Sequence, residues 1–173
     1  MKTTLKLITL SAVIALFGCK DKLTNIDIDQ NKSTAEFTIV SGAPAGVYND
    51  SVIFNSDFEK IAKDNGVKTE NFKSLKLKEA KAIITNGKTF DPLSKITIIL
   101  EATGLPTKTI LVKDPVNGAG LSTINFDVDQ SVDLLPYFKT NNITIRSNSV
   151  LSSSVVDEIK MKLELKYTVN AGL

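Results

Sequence analysis

Cys19 is the single thiol in a chain of 173 residues, and the chain contains neither histidine nor tryptophan. Those absences remove whole classes of chemistry. Without an imidazole there is no Ser-His or Cys-His nucleophile pair and no histidine ligand for zinc, copper or haem iron. Carboxylate, lysine and tyrosine chemistry stay open, with 19 acidic and 21 basic side chains available. A carboxylate enzyme would need two Asp or Glu side chains roughly 5–10 Å apart in a cleft. Three tyrosines, Tyr48, Tyr137 and Tyr167, leave little material for the flat platforms on which sugars stack.

Two stretches carry oxygen side chains at the alternate spacing that begins an EF-type calcium loop. In Asp27-Ile28-Asp29-Gln30-Asn31 the sixth position is Lys32 instead of glycine and the twelfth is Thr38 instead of glutamate. In Asp127-Val128-Asp129-Gln130-Ser131 the same positions hold Val132 and Phe138. The first reads as solvated chain, the second as a strand end running into a helix cap. Gly118 and Gly120 have no following lysine and no helix to open, so they read as a turn, not a phosphate loop. No metal and no cofactor is expected.

The N-terminus is more specific. Lys2 and Lys6 precede an apolar run from Leu7 to Phe17, and Gly18 stands before Cys19. A basic start, an apolar middle and a small residue at the end make a secretory signal peptide. The run is about half the ~20 residues that span a bilayer as a helix. Leu16-Phe17-Gly18-Cys19 resembles the lipobox of bacterial lipoproteins, with Phe17 bulkier than that pattern prefers. The resemblance implies cleavage after Gly18 and acyl chains on Cys19, and two or more such chains anchor a protein stably. Lys20 in place of an aspartate after the cysteine implies the outer membrane. Lys20-Asp21-Lys22 resembles, less acidically, the surface-export tracts of Bacteroidota lipoproteins. Asp50-Ser51-Val52 is similar to their O-glycosylation motif, which implies Ser51 as acceptor.

These segments must be positioned by whatever follows. Residues 1–18 read as leader, 19–33 as the lipidated cysteine and a flexible tether, and 34–173 as one domain. Loss of Lys2 and Lys6 leaves basic and acidic side chains balanced, which gives no footprint for nucleic acid. Ala35, Phe37 and Ile39 alternate with polar residues, and so do Ile159 to Val169, as half-buried strands do. Further strands are expected over 51–54, 72–84, 95–102, 108–112, 121–128 and 142–147. The apolar parity changes between Leu77 and Ala80, which predicts a bulge near Glu79. Ser56-Asp57-Phe58-Glu59 matches a capping box opening a helix over 57–65, and Pro136 limits 131–139 to a turn or two of helix. The expected fold class is all-β: an antiparallel sandwich of about seven or eight strands with two short helices, or else a jelly roll or small barrel.

The function expected from this is an outer-membrane lipoprotein with a non-catalytic binding or structural module, held by acyl chains on Cys19 and exposed at the cell surface. Loops 41–50 and 114–120 are the candidate binding loops. The alternatives are a periplasm-facing carrier of lipid or another apolar ligand, which needs an internal cavity of several hundred Å³, and a carboxylate-based enzyme.

Overall fold

The computed structural model describes residues 25–140 and 142–172, so Gly18 and Cys19 lie outside the described residues. Eight strands run in the order β1 (Asn25–Ile39), β2 (Gly46–Phe54), β3 (Phe72–Ile84), β4 (Leu93–Ala102), β5 (Lys108–Lys113), β6 (Thr123–Phe126), β7 (Ile143–Leu151) and β8 (Ile159–Gly172). Two short helices, α1 (Phe58–Asp64) and α2 (Leu135–Phe138), sit in the connections. First pairs with last, second with seventh, third with sixth and fourth with fifth, all antiparallel. Rolling up that long hairpin sets β3 beside β8 and β4 beside β7. The product is two four-stranded sheets, β1-β8-β3-β6 and β2-β7-β4-β5. This is a β-sandwich, and its strand order is that of a jelly roll.

The sheets form because their strands alternate. Along β8, Ile159, Met161, Leu163, Leu165, Tyr167 and Val169 are buried, while Lys160 and Lys166 are exposed between them. Each fully buried Leu, Ile or Phe contributes about 1.5–3 kcal/mol. On β3, Leu77 lies opposite Tyr167 and Glu79 opposite Lys166, so Lys78 is an extra residue. The bulge falls where the apolar parity changes, and it keeps both halves of β3 facing the core.

Three expectations are corrected. β1 begins at Asn25, not near Thr34, so residues 25–33 belong to the domain and not to a tether. They pair because Ile28 is buried opposite Val169. The acids on the other face also find partners: Asn170 Nδ2 donates to Asp27 at 2.8 Å, and Thr168 Oγ1 donates to Asp29 at 2.6 Å. Residues 46–50, expected as loop, open β2 along the edge of its sheet. The capping box does not form. Asp57 takes the cap position with φ 50° and makes no side-chain cap, while Ser56 is buried. The left-handed turn at Asp57 swings Ser56 inward instead of over the first helical turn. The stop at Asn65-Gly66 does form, because Gly66 N–H reaches Lys63 O and Val67 N–H reaches Ala62 O, as in a Schellman motif.

Candidate functional site

In this topology the connections fall into two sets. Segments 40–45, 85–92, 114–122 and 152–158 gather at the end where β1 finishes. Segments 55–71, 103–107 and 127–140 lie at the end where β1 starts. The first set forms a crown. Its loops are tied to each other by main-chain bonds: Gly42 N–H to Val155 O at 2.9 Å, Val155 N–H to Ala43 O at 2.8 Å, Ser152 N–H to Pro92 O at 2.8 Å and Phe90 N–H to Leu121 O at 2.9 Å. Lys88 Nζ adds an ion pair to Asp157 at 2.6 Å.

Two residues fix the crown's centre. Phe90 is fully buried, and a Cβ built on Gly118 would meet Phe90 Cβ at 2.4 Å. Only glycine lets loop 114–122 lie this close to Phe90. Asp91 accepts from Thr89 Oγ1 at 2.6 Å and from Gly120 N–H at 2.7 Å, and these bonds hold its carboxyl below the usual aspartate range. Around this frame Val40, Leu121 and Val156 stand in solvent, 59%, 48% and 84% exposed. A cleft of about 410 Å³, lined by Lys88, Thr89, Asp91, Val156 and Asp157, opens beside Val156. The arrangement presents fixed backbone, three apolar side chains and few unpaired charges.

Of the expected binding loops 41–50 and 114–120, residues 41–45 and 114–120 reach the crown, while 46–50 lie in β2. Their partners, 85–92 and 152–158, were missed. Asn86-Gly87 and Ser152-Ser153-Ser154 mark them as turns, but local pattern does not say which turns share an end.

A second cleft, about 430 Å³, lies on the outer face of the β1-β8-β3-β6 sheet beside the bulge. Glu79 receives Lys166 Nζ at 2.6 Å, which pushes its carboxyl below the ordinary range. Glu164 takes Lys162 at 2.8 Å and Lys81 at 3.0 Å. These carboxylates are arranged as ion pairs with lysines. Between the sheets, the space bounded by Phe37, Ile39, Tyr48, Ser147, Ser149 and Met161 holds about 10 Å³.

The remaining candidates have plain structural roles. Ser51 is exposed on the outer face of β2. Its neighbour Asp50 accepts Thr38 N–H from β1 and Ser51 N–H from β2, both at 2.7 Å, and so links the adjoining edges of the two sheets. Asp129 accepts the N–H and hydroxyl of Ser131, while Asp133 accepts Leu75 N–H at 2.8 Å and Leu135 N–H at 3.0 Å. Among the described residues no group of three or more His, Cys, Asp or Glu is placed to hold a metal.

No family model and no curated protein matches the chain. Among solved structures it is similar to the decameric BFDV capsid protein, at 12% identity and a TM-score of 0.39, covering 84% of this chain and 98% of that one. It is also similar to a desmodium yellow mottle tymovirus structure, at 14% identity, a TM-score of 0.29, and 86% and 89% coverage. A turnip yellow mosaic virus structure gives 10% identity, 0.29, and 86% and 82% coverage. Likeness at this level carries no argument about function. The class of this protein, a jelly-roll sandwich with eight strands among the described residues and a bonded loop crown, rests on its own strand pairing.

Proposed function

We propose that this chain is a lipid-anchored, non-catalytic binding module of the outer membrane, exposed at the cell surface and engaging a surface protein or ligand through its crown. The observation that carries the reading is the crown itself. Four loops are fixed against one another by main-chain bonds, and exposed Val40, Leu121 and Val156 lie among them. Loops held rigid in advance lose little entropy on binding, which favours recognition. The anchor is assigned to Cys19 after cleavage at Gly18, and the exposed hydroxyl of Ser51 is the proposed glycan acceptor.

The carrier reading needs an interior cavity of several hundred Å³, and the space described beside Phe37, Tyr48 and Met161, about 10 Å³, is far too small to serve as one. The enzyme reading needs a carboxyl poised to give or take a proton, whereas Glu79 is paired with lysine.

The test is protease shaving of intact cells that express the protein with an epitope inserted between Ser153 and Ser154, beside an unanchored Cys19→Ala control. Loss of the epitope from intact cells is the expected result. Protection on intact cells with cleavage after lysis would place the crown in the periplasm and defeat the surface reading.

A further inference from the structure

The position of β1 sets how far the domain can stand from a membrane. Only residues 20–24 separate Cys19 from Asn25. Six Cα steps at full extension cover about 20 Å. The strand cannot readily give up residues to lengthen this link. Asn25 to Gln30 pair with Gly172 to Tyr167, Ile28 is buried, and Asn25, Asp27 and Asp29 each hold a side-chain bond to β3 or β8. Asn25 stands at the end that carries 55–71 and 127–140, and the crown stands at the other. With a rise of about 3.3 Å per residue, β1 separates the two by roughly 45 Å.

We infer that, with Cys19 acylated, the end built from segments 55–71 and 127–140 is held within about 20 Å of the lipid headgroups and the crown stands farther from them. This rests on the anchor reading given above. The lipid surface is fixed as the occupant by the length of chain between Cys19 and Asn25, not by affinity. Segment 55–71 sets Asp57, Glu59, Asp64 and Glu70 against Lys60, Lys63 and Lys68, and segment 127–140 sets three aspartates against Lys139. Such an end has no electrostatic pull toward anionic lipid, so the domain without its anchor stays in solution.

The experiment uses acylated full-length protein in vesicles of phosphatidylethanolamine and phosphatidylglycerol with acceptor-labelled headgroups. A donor dye is placed on a single new cysteine, Glu59→Cys at the near end or Val156→Cys at the crown; both positions are exposed. Energy transfer should be several-fold stronger from position 59 than from 156. A Gly/Ser insertion of about 15 residues between Lys22 and Leu23 should bring the two signals together. Equal transfer from both positions in protein whose mass shows the acyl chains would overturn this inference and leave the anchor reading intact. A mass without acyl chains overturns both. The Cys19→Ala protein should not float with the vesicles, and flotation would mean that affinity, not the link, sets the contact.

Discussion

The two ends of the sandwich are closed by different means. At the end where β1 starts, rings close it. Phe58 meets Phe72 at 5.0 Å between centroids, Phe54 meets Phe138 at 5.8 Å, and Phe138 meets Tyr167 at 5.3 Å. Helices α1 and α2 supply Phe58 and Phe138 to this cluster. At the crown, main-chain bonds join the loops over buried Phe90, Ala43 and Val155, and Val40, Leu121 and Val156 are left in solvent. Ring packing is a large, non-directional contribution from buried area. Loop-to-loop hydrogen bonds contribute about 1 kcal/mol each, but they fix geometry. One end is built for stability and the other for shape.

The sharpest way to break this contrast is Phe138→Ala. Phe138 is fully buried and touches Phe54, Phe58 and Tyr167. Its loss should cost about 3–5 kcal/mol in urea unfolding. A cost under about 1 kcal/mol would mean that the rings do not hold this end.

Gly118→Ala tests the crown's frame in the same assay. The new methyl would sit 2.4 Å from Phe90 Cβ, so loop 114–122 must shift, at about 1–3 kcal/mol. Amide exchange should quicken at Phe90 and Gly120, whose N–H groups bond across these two loops. Unchanged exchange there would show that the loops are not coupled. Smaller again is Asp50→Ala, expected at about 1 kcal/mol because two N–H groups lose a charged acceptor but can reach water. Those N–H groups lie on sheet edges, so the variant should also self-associate more readily in sedimentation.

Much of the strand framework was legible from sequence, and little of how the loops close its two ends was. Alternation along β8 and the parity change before Ala80 are local signals that report which face is dry. The first half of β1 was missed although Ile26 and Ile28 alternate with acids. Its partner strand is far away in sequence, with Asp27 bonded to a residue 143 positions on, and a short polar stretch carries too few apolar residues to announce a strand. The capping box failed for a related reason: the motif specifies a local bond, and the packing of 55–58 overrides it. The crown is a property of topology. Nothing within 85–92 or 152–158 says that they meet until first is paired with last and the hairpin is rolled.

Acid should weaken the molecule through its polar exterior and not through its rings. Asp29, Glu79, Asp91 and Asp129 all have carboxyls held below their ordinary values, which are 3.8 for the aspartates and 4.5 for the glutamate. Each therefore protonates later in the folded chain than in the unfolded one. Their stabilisation is fully present above the ordinary values and is lost as pH falls through the folded ones. The urea midpoint should be flat from neutral pH down to about 5 and should fall below about 4.5. Salt divides the group. Lys78 beside Asp29, Lys166 beside Glu79 and the weaker pull of Lys108 on Asp129 are screened by it, whereas the neutral donors Thr168 on Asp29, Thr89 and Gly120 on Asp91, and Ser131 on Asp129 are not. An acid transition that high salt abolishes would assign the effect to the sheet face alone.

The smallest expected effect is the most informative about the crown. Val156→Ser changes a side chain that is 84% exposed, and combining it with Leu121→Ser changes one that is 48% exposed. Neither side chain belongs to the buried core, so the pair should leave stability within about 0.5 kcal/mol of the parent. A side chain that stands mostly in water, as Val156 does, gains little in folding from its apolar character. If stability is unchanged while retention of a surface partner falls, the two side chains are there for binding. If stability drops by more than about 1 kcal/mol, they pack within the crown, and the division between an end for stability and an end for shape does not hold.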